Sequence, residues 1–233
     1  MIDFHSHILP AIDDGSKDTE ESLKLLQMLL QQGVDTVVAT PHFLPERESA
    51  LEFLHRRETA YKELSSHITE DLPDIILGAE VAYYEGINRL EGLSELCVGN
   101  SRLLLMEMPM NRWSETAVKE LISIACSNNI RLVLAHVERY ISYQSKDNIQ
   151  KLLDCGILFQ VNASFFNDFR TRHKAFSMLR QSSIHFIGSD CHNLTYRPPC
   201  IGQAFDLIRK KSGDMFLQDF TEFQRSLIFS ENG

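Results

Sequence analysis

Imidazoles and carboxylates recur at the ends of short apolar runs along this chain. It begins "MIDFHSHIL", where His5 and His7 stand two apart in a strand-like segment, so that both side chains face the same side. His42 follows in "ATPHF", Glu80 in "GAEV", Glu107 in "LMEMP", His136 in "AHVERY", and Asp190 and His192 in "SDCHN". A lone histidine or glutamate in such a place is ordinarily structural, but the repetition is not ordinary. Imidazole and carboxylate without thiolate suit zinc, manganese or iron, and eight such groups exceed what one tetrahedral ion takes, so the pattern implies a multinuclear site. Asp14 in "PAIDDGS" would be a ninth ligand, although either Asp13 or Asp14 could equally serve to shape the turn before Gly15. Asp3, two residues before His5, is expected in supporting hydrogen bonds or in the core, and His55, His67, His173 and His185 are expected to be structural.

These groups need a scaffold that brings strand ends together. Apolar, β-branched runs predict strands at 2–7, 35–42, 75–81, 102–108, 131–137, 157–163 and 185–190. Helical patterns lie between them, at 46–66, 115–128, 145–155, 170–182, 202–211 and 214–229, and most clearly in "DTEESLKLLQMLLQQG". There Asp18 and Glu21 have capping-box spacing, Leu23, Leu26 and Leu30 share a face, and Gly33 is the stop. The candidate positions at strand ends, counting Asn162 for the sixth, are separated by 35, 38, 27, 29, 26 and 28 residues, the lengths of βα units. Seven such units with no composition shift predict one domain over 1–233, a closed or nearly closed parallel barrel with its site at the C-terminal ends of the strands.

Composition narrows the partners. A net charge of −9 without a Lys/Arg run argues against nucleic acid. No apolar run reaches the length of a membrane span and the amino terminus lacks a signal-peptide pattern, so a cytoplasmic protein without membrane insertion is expected. Five cysteines without a C-x-x-C pair fit a reducing compartment.

One stretch, "GSDCHNLTYRPP" (188–199), offers a rival nucleophile, because Cys191 and Arg197 have the C-x5-R spacing of thiol phosphatases. Those enzymes cradle phosphate in a glycine-rich loop, whereas here no glycine lies between the two and prolines follow. Strand alternation turns Cys191 away from Asp190 and His192, into packing. Arg139 and Arg197, each a few residues beyond a metal candidate, instead suit the planar, bidentate recognition of a phosphate dianion. Trp113, Tyr83 and Tyr84 are expected to pack.

The ordered set "DFHSHILPAIDDG", "ATPHF", "GAEV", "MEMPMN", "AHVERY", "VNAS" and "SDCHNLTYRPP" resembles the PHP (polymerase and histidinol phosphatase) superfamily of metal-dependent phosphoesterases. More narrowly it resembles the bacterial PHP-type tyrosine-protein phosphatases that act with capsular and exopolysaccharide tyrosine kinases, from Met1 to about Lys210. The resemblance implies an α/β fold, a distorted (β/α)7 barrel, with three divalent metal ions at its mouth, commonly manganese, with iron or zinc as alternatives. It assigns one ion to His5, His7, Glu80 and Asp190, a second to Glu80, Glu107 and His136, and a third to Asp14, His42 and His192, and so favours Asp14 over Asp13. It places Arg139 and Arg197 on the substrate phosphate. The implied activity is hydrolysis of phosphotyrosine, by a metal-bridging hydroxide, on a protein such as a bacterial tyrosine kinase. Alternatives are a PHP phosphatase for a small monoester such as histidinol phosphate, or a non-catalytic metal-binding regulator. An amidohydrolase usually carries a carboxylated lysine at a middle strand end, where this chain has Glu107.

Overall fold

Seven strand positions, all parallel, carry the helices on their outside in the computed structural model, which describes residues 1–127 and 129–229. β1 (Ile2–Ser6) pairs with β2 (Thr36–Ala39), and β2 with β4 (Asp74–Leu77). A second sheet runs from β3 (His42–Phe43) through β5 (Glu80–Ala82), β6 (Leu103–Glu107), β7 (Arg131–Leu134) and β8 (Leu158–Asn162) to β9 (Phe186–Gly188). The curl closes where β9 meets β1: the Asp190 N–H donates to the His5 carbonyl at 2.8 Å and the His7 N–H to the Cys191 carbonyl at 2.9 Å. The result is a distorted (β/α)7 barrel.

The distortion lies where two expected strands are each broken. The run expected at 35–42 divides at Thr40–Pro41, where proline has no N–H to give the ladder, and the run at 75–81 divides at Gly78–Ala79. Bonding continues irregularly across both breaks, with Thr40 N–H to the Ser6 carbonyl, Gly78 N–H to Ala39 and Glu80 N–H to Pro41 at 2.8, 2.8 and 3.0 Å. β1 also has a register shift between Asp3 and Ser6. Such an irregularity re-aims side chains. Ile2 and Phe4 join Val38, Leu103, Leu105, Val133, Leu158 and Phe186 in one buried apolar cluster, whereas His5 faces the mouth.

Helices α1 (Thr19–Gln31), α2 (Ala50–Ser65), α3 (Glu115–Ala125), α4 (Lys146–Asp154), α5 (Ser164–Asn167), α6 (Arg172–Arg180) and α7 (Ile201–Ser212) cover the outside, and α8 (Asp214–Ile228) sends Leu227 and Ile228 into the cluster inside the sheet. The Asp18 side chain caps α1 by accepting from the Glu21 N–H, but Glu21 reaches back to the Lys17 N–H, one residue short of a full capping box. The buried face of α1 is Ser22, Leu25, Leu26 and Leu29 rather than the expected Leu23, Leu26 and Leu30. Leu30 is partly exposed, because the helix is rotated to set Leu25 and Leu29 on the sheet. The full box forms on α2, between Ser49 and Glu52. The expected end of the third helix at 128 and the last four residues of the expected 1–233 domain lie outside the described residues.

Candidate metal centre

All nine metal-ligand candidates come to the C-terminal mouth of the barrel. One potential ligand atom from each of His7, Asp14, His42 and His192 lies within 4.8 Å of the others, and the same holds for His5, His7 and Asp190, and for His42, Glu80 and Glu107. His136 joins through its Nε2, 2.8 Å from Glu80 Oε1 and 3.3 Å from Glu107 Oε1. His5, His7, Glu80, His136, Asp190 and His192 are buried, His42 and Glu107 half-buried, and Asp14 stands exposed at the rim. His136 and Asp190 both take left-handed backbone angles, φ 31° and 53°. These conformations are uncommon for residues with a Cβ and concentrate at functional sites.

Three of the imidazoles are held by partners that decide which nitrogen carries the proton. His7 Nδ1 lies 2.7 Å from Asp13 Oδ2, which also accepts the His42 N–H at 2.9 Å, while Asp13 Oδ1 accepts from Gly15. Asp13 therefore shapes the turn and orients His7, and Asp14 is left to face His42 and His192. His192 Nδ1–H donates to the Asp190 carbonyl at 3.0 Å, leaving a lone pair on Nε2. His5 Nδ1 lies 3.2 Å from Gln160 Oε1, so its Nε2 is also free to bind; it sits 3.2 Å from His7 Nε2. Carboxylate and carbonyl partners of this kind fix tautomers around bound metals.

Two glycines make the close packing behind these rings possible. A Cβ at Gly188 would lie 2.5 Å from the His5 Cβ, and one at Gly15 would lie 2.3 Å from the His7 carbonyl oxygen. Neither position admits a larger residue without moving a site histidine.

The electrostatics favour cations. The Glu80 carboxyl is buried, which opposes its charge, yet the imidazoles of His5, His136 and His42 hold it well below the usual range. Burial likewise opposes charge on His7, but the hydrogen bond to Asp13 and the negative charges of Asp13 and Glu80 push it up to about 10. His136 is raised to about 9 by Glu107 and Glu80 against its burial. By contrast burial, with His7 and Arg197 nearby, lowers His192 to about 4, keeping it neutral. Glu80 Oε2 is buried with no hydrogen bond although nitrogens of His5, His7 and His42 lie 3.0 to 3.3 Å away. A carboxylate oxygen ringed by nitrogens that do not donate to it is the donor set of a divalent ion, and binding there would displace protons from the imidazoles. The residues present fit bound metals.

Two residues outside the expected ligand set complete the support. Gln160, fully buried on β8, accepts the His136 N–H at 2.6 Å and donates to Asn162 Oδ1 at 3.0 Å. Asn162, the one strand end without an acidic or imidazole group, donates to Asp190 Oδ2 at 2.7 Å. A buried glutamine two residues before Asn162 in the apolar run "ILFQVNA" was the available signal, since both share the inward side of the strand. Asp3 accepts from the Ser189 N–H at 2.7 Å and the Ser189 hydroxyl at 2.5 Å, tying β1 to the turn that carries Asp190.

Arg139 and Arg197 converge on a single oxygen. Arg139 Nη2 lies 2.5 Å and Arg197 Nη2 2.6 Å from Asp190 Oδ2, and Arg197 Nη1 donates to His192 Nε2 at 2.8 Å. The loop is bent by Asn193, whose Oδ1 accepts the N–H groups of Thr195, Tyr196 and Arg197 at 3.1, 2.7 and 3.1 Å. Those N–H groups are therefore not available to cradle a phosphate. Cys191 is fully buried in the core, which raises its thiol well above the ordinary range. A thiolate nucleophile has no support here. His55, His67 and His173 lie on the surface, His185 Nδ1 accepts the Phe159 N–H, Trp113 packs on Tyr140, and Tyr83 bonds Glu120.

Fold and site together define a class: a seven-unit (β/α) barrel whose mouth gathers five imidazoles and four carboxylates fit for divalent ions. Within it, the chain belongs to the capsular polysaccharide synthesis CpsB/CapC family, which matches residues 1–226. It is 33% identical to the tyrosine-protein phosphatase CpsB of Streptococcus pneumoniae, over 99% of this chain and 99% of that one. It is 29% identical to the tyrosine-protein phosphatase YwqE of Bacillus subtilis, over 98% and 91%. A solved structure from work on YwqE and CpsB, described as metal-dependent tyrosine phosphatases, shares the fold with a TM-score of 0.84 at 22% identity, covering 100% of this chain and 96% of that one.

Proposed function

We propose that this chain is a metal-dependent protein-tyrosine phosphatase, one domain carrying the whole site. The observation that carries the reading is the convergence of two guanidiniums on a carboxylate oxygen of the metal-ligand cluster. That pairing sets two planar forks beside a multinuclear cation site, the arrangement a phosphate dianion requires. The proposed ligand sets are His5, His7, Glu80 and Asp190 for one ion, Glu80, Glu107 and His136 for a second, and Asp14, His42 and His192 for a third. Manganese is the proposed metal, with iron or zinc as alternatives. When bound, such ions supply Lewis acidity that activates water and neutralises phosphoryl charge.

The chain's own groups do the rest. Asp13, Gln160 and the Asp190 carbonyl hold the imidazole protons on the nitrogens facing away from the centre. Arg139 and Arg197 orient the phosphoryl oxygens and stabilise the charge that builds on them. A tyrosyl oxygen leaves as phenolate, whose conjugate acid has a pKa of about 10, so no dedicated general acid is required. The relatives' names support a phosphotyrosine protein as substrate, and the family's description supports a role in capsular polysaccharide synthesis; on this proposal the protein opposes a bacterial tyrosine kinase of capsule or exopolysaccharide synthesis and works in the cytoplasm. No helix among the described residues is long and apolar enough to cross a membrane.

The test is phosphate release by metal-stripped protein after adding back manganese, zinc or iron, from a phosphotyrosine peptide and from a small alkyl phosphate. Metal-dependent turnover that favours the peptide is expected. Preference for the alkyl phosphate would replace the substrate class, and bound metal without any turnover would make the protein a regulator.

A further inference from the structure

A cavity of about 630 Å³ opens beside the metal centre, lined by Asp14, His42 and Glu107 of that centre and by Ile12, Leu44 and Arg47. Its volume exceeds what a phenol needs and falls in the range of about 300–1,000 Å³ that takes a ligand of several groups. The apolar wall of Ile12 and Leu44 suits an aromatic ring. The charged part of the wall is unequal. Arg56 spends its guanidinium on Glu48, through bonds of 2.9 and 2.6 Å, and on the Ile12 carbonyl at 3.0 Å, so that both charges are cancelled in place. Arg47 is exposed, and among the described residues no carboxylate lies within ion-pair distance of it. Its backbone N–H closes a turn onto Leu44 at 2.9 Å, which anchors the residue while leaving its side chain uncommitted.

We propose that this cavity seats the tyrosyl ring together with its neighbouring residue, and that Arg47 binds a carboxylate flanking the phosphotyrosine. The inference rests on the phosphatase reading and adds the substrate class: peptides with an acidic residue beside the phosphorylated tyrosine. The lining carboxylates Asp14 and Glu107 are engaged with the imidazoles of the centre, and Glu48 with Arg56, so an acidic side chain meets Arg47 rather than an uncompensated negative wall. A half-exposed ion pair of this kind discriminates by KM, and salt weakens it.

The test compares kcat/KM for three phosphotyrosine peptides that differ only in flanking Glu, Gln or Lys, using metal-loaded wild type, Arg47→Ala and Arg47→Glu. Each protein is its own reference, because the ratio between peptides cancels any loss of folded enzyme. Wild type is expected to favour the Glu peptide over the Gln peptide by about three- to tenfold at low salt. Arg47→Ala should bring that ratio to about one, and Arg47→Glu should favour the Lys peptide. A wild type indifferent to the flanking charge, or a preference that survives in Arg47→Ala, would overturn the assignment while leaving the phosphatase reading intact. Failure of the wild type to release phosphate from all three peptides would overturn both.

Discussion

Removing the Gln160 side-chain amide tests whether the imidazoles must be held by their partners for metal to bind. Gln160 Oε1 takes the His136 N–H at 2.6 Å and lies 3.2 Å from His5 Nδ1, in a fully buried setting. Gln160→Leu keeps the volume and strands both donors. An unsatisfied buried donor costs about 1–3 kcal/mol, so with two stranded the variant should lose about 2–6 kcal/mol of stability, read by urea denaturation of metal-free protein. With nothing fixing the proton on His5 Nδ1, apparent metal affinity should fall about 10- to 100-fold, read by competition against a chromogenic chelator. Gln160→Glu preserves the acceptor, although it adds a buried charge and replaces the bond donated to Asn162 by a contact between two oxygens, so it should bind metal more tightly than Gln160→Leu. A Gln160→Leu protein that folds and binds metal as wild type does would refute the positioning role, and equal losses in both variants would show that packing, not the acceptor, matters.

Cys191→Ala should keep turnover within about threefold and lose about 1 kcal/mol or more of stability from a buried side chain, while a chelator abolishes activity in both proteins; the reverse pattern in a phosphate-release assay would restore the thiol. Gly188→Ala puts a Cβ 2.5 Å from the His5 Cβ and 2.9 Å from its backbone nitrogen, so it should cost about 1–3 kcal/mol and at least about tenfold in turnover; wild-type activity would show that β1 and β9 can part freely. His185, just before the strand that leads to Asp190, is lowered from 6.5 to about 4 by burial and by Arg131, and its Nδ1 accepts the Phe159 N–H at 3.0 Å. The fold favours its neutral form, so this contribution is full above about pH 6.5 and is lost as pH falls towards 4, up to about 3 kcal/mol. The stability advantage of wild type over His185→Gln should therefore shrink between pH 7 and pH 4 in urea titrations, and a pH-independent difference would refute it.

The strand-end residues were legible because two periodicities coincide in them: the apolar runs set where strands end, and barrel topology brings those ends to one mouth. Nothing in the letters announced where the alternation would fail. At His136 and Asp190 the chain turns left-handed, and in β1 the register shifts between Asp3 and Ser6, the stretch that holds His5. Each irregularity falls on or next to a site residue. A regular strand points His5 and His7, and likewise Asp190 and His192, to one face but spaces each pair about 7 Å apart along its length, and the departures fall where these four side chains draw together. The same reasoning explains why Gln160 and Asp13 were hard to see. A ligand declares itself by residue type, but the group that orients it needs only an acceptor at the right place, and a glutamine in an apolar strand or the first aspartate of "DDG" reads equally well as ordinary structure. Their role exists only once β8 lies beside β7 and the 13–15 turn folds back under His7. The supporting shell of such a site is therefore a property of the closed barrel, whereas its ligand list is a property of the sequence.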